Sequence, residues 1–463
     1  MMADRRTFWG ALLRLIISAG MALCLVALAA SDVAAWRHDR RGVEDGADPE
    51  LAPISQPRYG TNVALEQYTT DAALDRALAQ ATRLGFGVLR QRLPWAEIEP
   101  APGAWDWSRW DRIVDAVQAA DLRLILVLET SPAWARRPWD ADNPHAPPSD
   151  VADYAAFVQA VAERYCGKVL AYQVWDNPNV APYWGAGEID PGGYVAMLRV
   201  ASAAIRAADP GALVLAGGMA PTVETRGRNM SDIVFVRELC RLGATPLYDA
   251  LAVKPYGFWS GPLDRRVSEG VLNFSRVVLV REELRRLGAE DKAIWAVEGG
   301  WAALPDDWAG EPSAVGSDSA AVQAERFVYA VTRVRKEWPW LGLLCMGHLQ
   351  PAAEPTDPVW GLAWLNASGV PTELALRFDA LASLSTDVLY PGRYAAQAVM
   401  AAQAAKTSAD VTFYGTALAV ASESTQHDEL TVIDTVEGMP RQVHIAPHGR
   451  LTWLARAPLA TTV

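Results

Sequence analysis

The chain has 463 residues and a formal net charge of −12, with 51% hydrophobic and 21% charged residues. This composition supports a sizeable core and excludes global disorder, and the acidic balance argues against nucleic acid and anionic membrane surfaces as main partners. The length suits one domain of about 250–350 residues and a smaller one.

At the N-terminus, Arg5-Arg6 and Arg14 precede an uncharged run, Leu15–Ala30, with small residues at Ala29-Ala30-Ser31 and Ala34-Ala35. A basic region, an apolar stretch and small residues make the pattern of an export signal or an uncleaved anchor. The run falls somewhat short of the roughly 20 residues that span a bilayer, so cleavage and anchoring both stay open. Residues 1–36 are therefore read as signal peptide or membrane anchor, which would put the rest outside the cell, secreted or held on the outer face. Residues 37–57 are polar and charged and read as a linker.

From residue 58 to about 390, short apolar runs alternate with amphipathic segments. The runs are Tyr59–Asn62, Val88-Leu89, Leu124–Leu128, Val169–Val174, Leu213–Leu215, Ala250–Val253, Ile294–Val297 and Leu341–Met346. Runs without polar alternation suit strands buried on both faces of a parallel sheet. Between the first two, Leu74, Ala77, Leu78, Ala81 and Leu84 keep the helical spacing, and Gly85 follows. Ser149-Asp150 and Ser231-Asp232 are plausible helix starts, and Ser275–Leu287 reads as a helix ended by Gly288. Eight strand–helix units predict an α/β fold, a (β/α)8 TIM barrel. A doubly wound open sheet is the alternative, but Tyr59-Gly60-Thr61-Asn62-Val63 lacks the glycine-rich phosphate loop such a sheet uses at its first turn. After about residue 405 the segments Val411–Val420, Leu430–Ile433 and Gln442–Ile445 are β-rich, so 405–463 reads as a small appendage.

Cys166, Cys240 and Cys345 show no CxxC spacing and read as small buried hydrophobes, and of six histidines only His145 and His348 fall in the central region. No metal and no cofactor is implied.

Barrel sites form where the parallel strands end. The residues just past the runs are Arg90, Arg92 and Trp95; Glu129 and Trp134; Trp175, Asp176 and Asn177, with Tyr183 and Trp184; Lys254, Tyr256 and Trp259; Glu298 and Trp301; and His348, Trp360 and Trp364. Carboxylates, cations and tyrosine set among tryptophans suit carbohydrate, because the C–H face of a pyranose stacks on indole. A single tryptophan more often fills a loop core; the set favours an oligo- or polysaccharide ligand.

The stretches VLRQRLPWAEIEPAPGAWDWSRWDRIVDAV, LRLILVLETSPAWA, VWDNPN, AVKPYG and IWAVEGGW occur in that order. Together, across about residues 58–390, they resemble the retaining glycoside hydrolases of clan A, above all the β-xylosidase/α-L-iduronidase and cellulase-like families. The resemblance implies that Glu298 is the nucleophile, supported by Arg90 and Tyr256, with Trp301 the aromatic after it. Lys254 stands where the family often has His. Asp176 stands where it usually has the Asn that bonds the sugar 2-hydroxyl. Asn177 takes the place of the acid/base Glu. Trp134, Trp184 and Trp360 are further sugar-contact candidates.

A retaining glycosidase needs two carboxyl groups about 5–5.5 Å apart, and an amide has no acidic proton to give. Three readings follow. Asp176, or more remotely Glu129 or Glu188, supplies the proton; the leaving group departs unprotonated; or the site binds sugar without turnover, as a pseudoenzyme. Adjacent residues at a strand end point in different directions, so Asp176 would need a local distortion to face the leaving oxygen.

Overall fold

The computed structural model of the chain describes residues 2–43, 59–338, 340–382 and 388–389, and four strands between 412 and 462. Residues up to 43 form a unit of their own. In it one helix spans Met2–Asp39. Its stretch Ile16–Asp39 is long and apolar enough to cross a membrane, with mean hydropathy 2.0. The helix runs unbroken past the small residues at 29–35 and takes in the first part of the expected linker. The rest of that linker, from residue 44, lies outside the described residues.

In the other unit, eight parallel strands close a barrel in sequence order. They are β1 (Tyr59–Val63), β2 (Val88–Pro94), β3 (Arg123–Glu129), β4 (Ala171–Val174), β5 (Leu213–Met219), β6 (Ala250–Val253), β7 (Ala293–Ala296) and β8 (Leu341–His348). Every expected run is a strand, and β8 pairs with β1 to close the ring.

The helices between them follow from periodicity and caps. In Asp71–Arg83 the buried side chains are Leu74, Ala77, Leu78 and Ala81. Thr70 caps this helix by accepting the Ala73 N–H, and Gly85 leaves it at φ +82. Asp150 caps Val151–Arg164 through the Ala152 N–H. Ser231 precedes Asp232–Arg241 but does not cap it with its side chain; its hydroxyl instead accepts Arg276 Nη2 at 3.1 Å. The helix expected over Ser275–Leu287 spans Arg276–Arg286.

Strand alternation sorts the core into two layers. Leu89 and Leu93 of β2 face the helices, among Leu124, Tyr172 and Leu251. Val88, Ile125, Ala171, Ala250, Ala252, Trp295 and Cys345 fill the barrel's interior. Small residues there make room for Trp295, and Gly60 lies so close to Cys345 that a Cβ would sit 2.4 Å from its Sγ. Continuing each inward row toward the strand ends brings in polar groups: Val88 leads to Arg90, Ala171 to Gln173, and Ala252 to Lys254. Cys345 is buried as expected, but Cys240 is half-buried and Cys166 is exposed, because the turn after Val151–Arg164 leaves it at the surface.

Beyond the barrel, β9 (Val388–Leu389) pairs in parallel with β10 (Thr412–Val420), which pairs antiparallel with β13 (Thr452–Thr462). β11 (Asp428–Ile433) and β12 (Pro440–Ile445) form a separate antiparallel pair. The β-rich expectation for this region holds for these strands; the expected barrel limit near residue 390 falls outside the described residues.

Candidate active site

The inward rows end in a network of four charges, of which Arg90, Asp176 and Lys254 are buried and Glu298 is 16% exposed. Arg90 of β2 donates through Nη2 to Asp176 Oδ1 at 2.8 Å, through Nη1 to Asn62 Oδ1 at 2.8 Å, and through Nε to Gln173 Oε1 at 2.9 Å. Its Nη1 also lies 3.4 Å from Glu298 Oε2. Lys254, just past β6, sits between the carboxylates, with Nζ 2.9 Å from Asp176 Oδ2 and 3.1 Å from Glu298 Oε2. The Tyr256 hydroxyl donates to Glu298 Oε1. His348 Nε2 lies 3.8 Å from the same oxygen, an ion-pair rather than a hydrogen-bond distance.

The backbone places these groups. Trp175 and Asn177 at the end of β4 have φ of 65° and 51°, left-handed for both, and bulky residues seldom adopt that conformation. The two reversals break strand alternation and turn the Asp176 carboxylate inward, where Gln173 Nε2 also donates to Oδ1 at 3.0 Å. Gly218 on β5, at φ +90, passes so close that a Cβ there would sit 2.4 Å from Asp176 Oδ1 and from Gln173 Nε2. Only glycine fits both the angle and the approach. The Asn177 N–H donates to the Gly218 carbonyl at 3.1 Å, tying the turn to β5.

Burial pushes both carboxyls toward the neutral form, but the cations outweigh it. Lys254, His348 and Arg90 hold Glu298 well below the usual carboxylate range. Lys254 and Arg90 hold Asp176 below it as well. Burial and the adjoining Glu298 carboxylate raise the Tyr256 hydroxyl well above its usual value, so it stays a donor.

The expectation that Asp176 could supply a proton in place of Asn177 meets this network directly. Two contacts to one nitrogen cap the Asp176 Oδ2 to Glu298 Oε2 separation at about 6 Å, compatible with a retaining pair. The two carboxyls do not face each other across an open cleft, however, because Lys254 stands between them. Asp176 is 4% exposed and ion-paired on both oxygens, so it has neither a proton to give nor a path to a leaving group. Asn177 borders it, with Nδ2 3.5 Å from Asp176 Oδ2. Glu129 fares no better: it is buried and held bidentate by Arg92, with Arg92 Nη2 donating at 2.8 Å. Glu188 is exposed on the loop after β4 and makes none of these contacts.

The aromatic candidates divide by burial. Trp301 is 1% exposed and donates to the Ser260 carbonyl at 2.7 Å; Trp184 is also buried, packed edge-on against Trp175 and Tyr194. Neither offers an open face, because the loops fold over them. Trp95 and Trp364 are likewise core. Trp134 and Trp360 are half-buried, their Nε1 atoms donating to the Glu99 and Glu354 carbonyls at 3.0 and 3.1 Å. Trp259, in the loop after β6, is 73% exposed. It lies against Gly316 of the loop after β7, beside an open pocket of about 630 Å³ lined by Trp308, Asp306 and Asp318. None of the network residues lines that pocket. Sequence reasoning missed Asn62 and Gln173, which orient Arg90; their inward parity on β1 and β4 was the signal for them.

The barrel is the fold of clan A glycoside hydrolases, as the resemblance implied, and the network lies at its strand ends. Solved structures of that kind align over most of the chain. A family 39 glycoside hydrolase from Bacteroides cellulosilyticus has a TM-score of 0.56 at 17% identity, over 71% of this chain and 64% of that one. A monomeric β-xylosidase from Caulobacter crescentus has a TM-score of 0.52 at 16% identity, over 71% and 69%. A glucosidase from Croceicoccus marinus has a TM-score of 0.53 at 15% identity, over 74% and 70%. The chain thus spans less than two thirds of the length of the first of these. No protein-family model matches the sequence, and no curated protein matches it.

Proposed function

We propose that this is an exported carbohydrate-binding barrel, built on a retaining-glycosidase frame, that holds an oligo- or polysaccharide at Glu298 and turns it over weakly or not at all. The observation that carries the reading is the state of the second carboxyl. Asn177 has no proton to donate, and Asp176, within reach by distance, is ion-paired to Arg90 and Lys254. Loss of general acid–base help costs about 10²–10⁴-fold in rate. Glu298, with Tyr256 and Asn177 beside the network, can still exchange hydrogen bonds with sugar hydroxyls while Arg90 orients Glu298 from below, and Trp134, Trp259 and Trp360 offer faces at the rim. The apolar N-terminal helix supports export, as signal or as anchor.

A second reading is favoured by one feature, the ionised Glu298 with Tyr256 on one oxygen: transfer from glycosides whose leaving group departs without a proton. Calorimetry with xylo- and cello-oligosaccharides, alongside product analysis on the same preparations, tests the main reading. Binding without released sugar is expected. Rapid hydrolysis of an unactivated oligosaccharide would overturn the binding role, and absence of binding across both series would remove these sugars as ligands.

A further inference from the structure

Asn177 accounts for the missing proton but leaves the buried lysine unexplained. A nucleophilic carboxylate must give an electron pair to the anomeric carbon; a more distant cation helps keep it ionised, but one locked against the attacking oxygen opposes that. Glu298 Oε1 accepts the Tyr256 hydroxyl, while Oε2 faces Lys254 Nζ at 3.1 Å and Arg90 Nη1 at 3.4 Å. Lys254 is not free to swing aside. Its side chain is 4% exposed, and Asp176 Oδ2 holds Nζ from the other side at 2.9 Å. Asp176 is itself fixed by Arg90, Gln173 and the close approach of Gly218.

We propose that Lys254, anchored by Asp176, clamps Glu298 as an ion pair and blocks its attack on a sugar, a second block independent of Asn177. The inference rests on the carbohydrate reading above. Attack converts the Glu298 carboxylate into a neutral ester and so forfeits its attraction to Lys254, which burial strengthens. The depression of the Glu298 carboxyl, in which Lys254 is the largest lowering influence, agrees with this geometry. A less basic carboxylate is also a weaker nucleophile. The two defects act on different events of the same glycosylation step, the attack and the protonation of the leaving oxygen; together they leave a site that holds sugar without cleaving it, and repairing Asn177 alone does not restore turnover.

The two blocks separate with a substrate that needs no acid. With dinitrophenyl β-xyloside or β-glucoside, Glu298 bonds to the anomeric carbon, the carbon–oxygen bond to the aryl group breaks, and its electron pair leaves as dinitrophenolate. No proton moves, so Asn177 drops out. The charge-balanced double variant Asp176→Asn with Lys254→Met removes one anion and one cation and leaves Arg90 and Tyr256 on Glu298; Lys254→Gln in the same background serves if the methionine form melts early. In full-length protein, the dinitrophenolate burst and the sugar mass on the Glu298 peptide should both appear at least tenfold faster in the double variant than in wild type. Asp176→Asn alone leaves the buried lysine with Glu298 as its remaining carboxylate partner, so the clamp persists and the burst should be no faster than wild type. Equal bursts in wild type and double variant, with xylo- or cello-oligosaccharide binding retained, would overturn the clamp alone, as would a fast Asp176→Asn single. Neither binding nor reaction in any of them would overturn the carbohydrate reading and the clamp with it.

Discussion

Lys254 and Asp176 are a pair that stabilises the barrel only while both are present. Removing one member of a buried ion pair leaves the other uncompensated and costs about 3–5 kcal/mol, whereas replacing both is far milder. Lys254→Met should therefore lower the melting temperature clearly more than Lys254→Met with Asp176→Asn, as thermal unfolding would measure. The pH dependence follows with its sign. Asp176 and Glu298 have folded pKa values depressed below the unfolded carboxylate range near 4. Their stabilisation is fully present above that range and is lost as pH falls through the folded values. Melting curves of wild type should drop steeply below about pH 4, and the double variant should drop less. Asn177→Glu tests the other defect. The new carboxyl would lie beside Asp176, a like charge that raises its pKa toward that of a working acid. Oligosaccharide hydrolysis should nonetheless stay within about tenfold of wild type until Lys254 is also changed; a gain nearer the full 10²–10⁴-fold from Asn177→Glu alone would show that the acid was the sole defect.

At the level of strands and loops, the sequence carries more than it first yields. All eight strands were legible because a parallel sheet buried on both faces leaves uninterrupted apolar runs, and Glu298 and Asp176 were legible because they directly follow such runs. What was not legible was direction. The left-handed turns at Trp175 and Asn177 rotate Asp176 into the barrel; Asn177-Pro178 signals a turn, but nothing in VWDNPN signals a left-handed tryptophan. Burial of the tryptophans was hidden for a similar reason: the loop after β4 packs Trp184 back on Trp175, and the loop after β6 covers Trp301, so both sit at strand ends yet belong to the core. Substitutions should divide them. Trp301→Ala leaves a cavity where Gly257 and Phe274 pack and should cost about 3–5 kcal/mol by denaturant unfolding. Trp259→Ala removes an open ring and should change stability by no more than about 0.5 kcal/mol. A large loss there would mean that the ring is packed rather than presented.

For the whole chain, the N-terminal helix and the barrel are separate units with separate physical requirements. The barrel satisfies its own core, since among the described residues its buried layers are drawn from residues 63–378. The helix is exposed along its described apolar length, which suits lipid and not water. Sequence reading found an apolar run slightly too short to span. The structure extends it to Asp39, because Ser31, Asp32 and the alanines after them are compatible with helix and no glycine or proline stops it. Deleting residues 1–43 should leave the barrel's melting temperature and oligosaccharide affinity unchanged and remove whatever membrane association the full-length chain has, measured by sedimentation of expressing-cell lysates with and without detergent. N-terminal sequencing of the expressed full-length product then decides the fate of the helix. A mature chain beginning near Ser31–Trp36 marks a cleaved signal and a released barrel. An intact N-terminus that pellets with membranes marks an anchor, which holds the sugar site at the cell surface and confines its ligand to polymers reachable there.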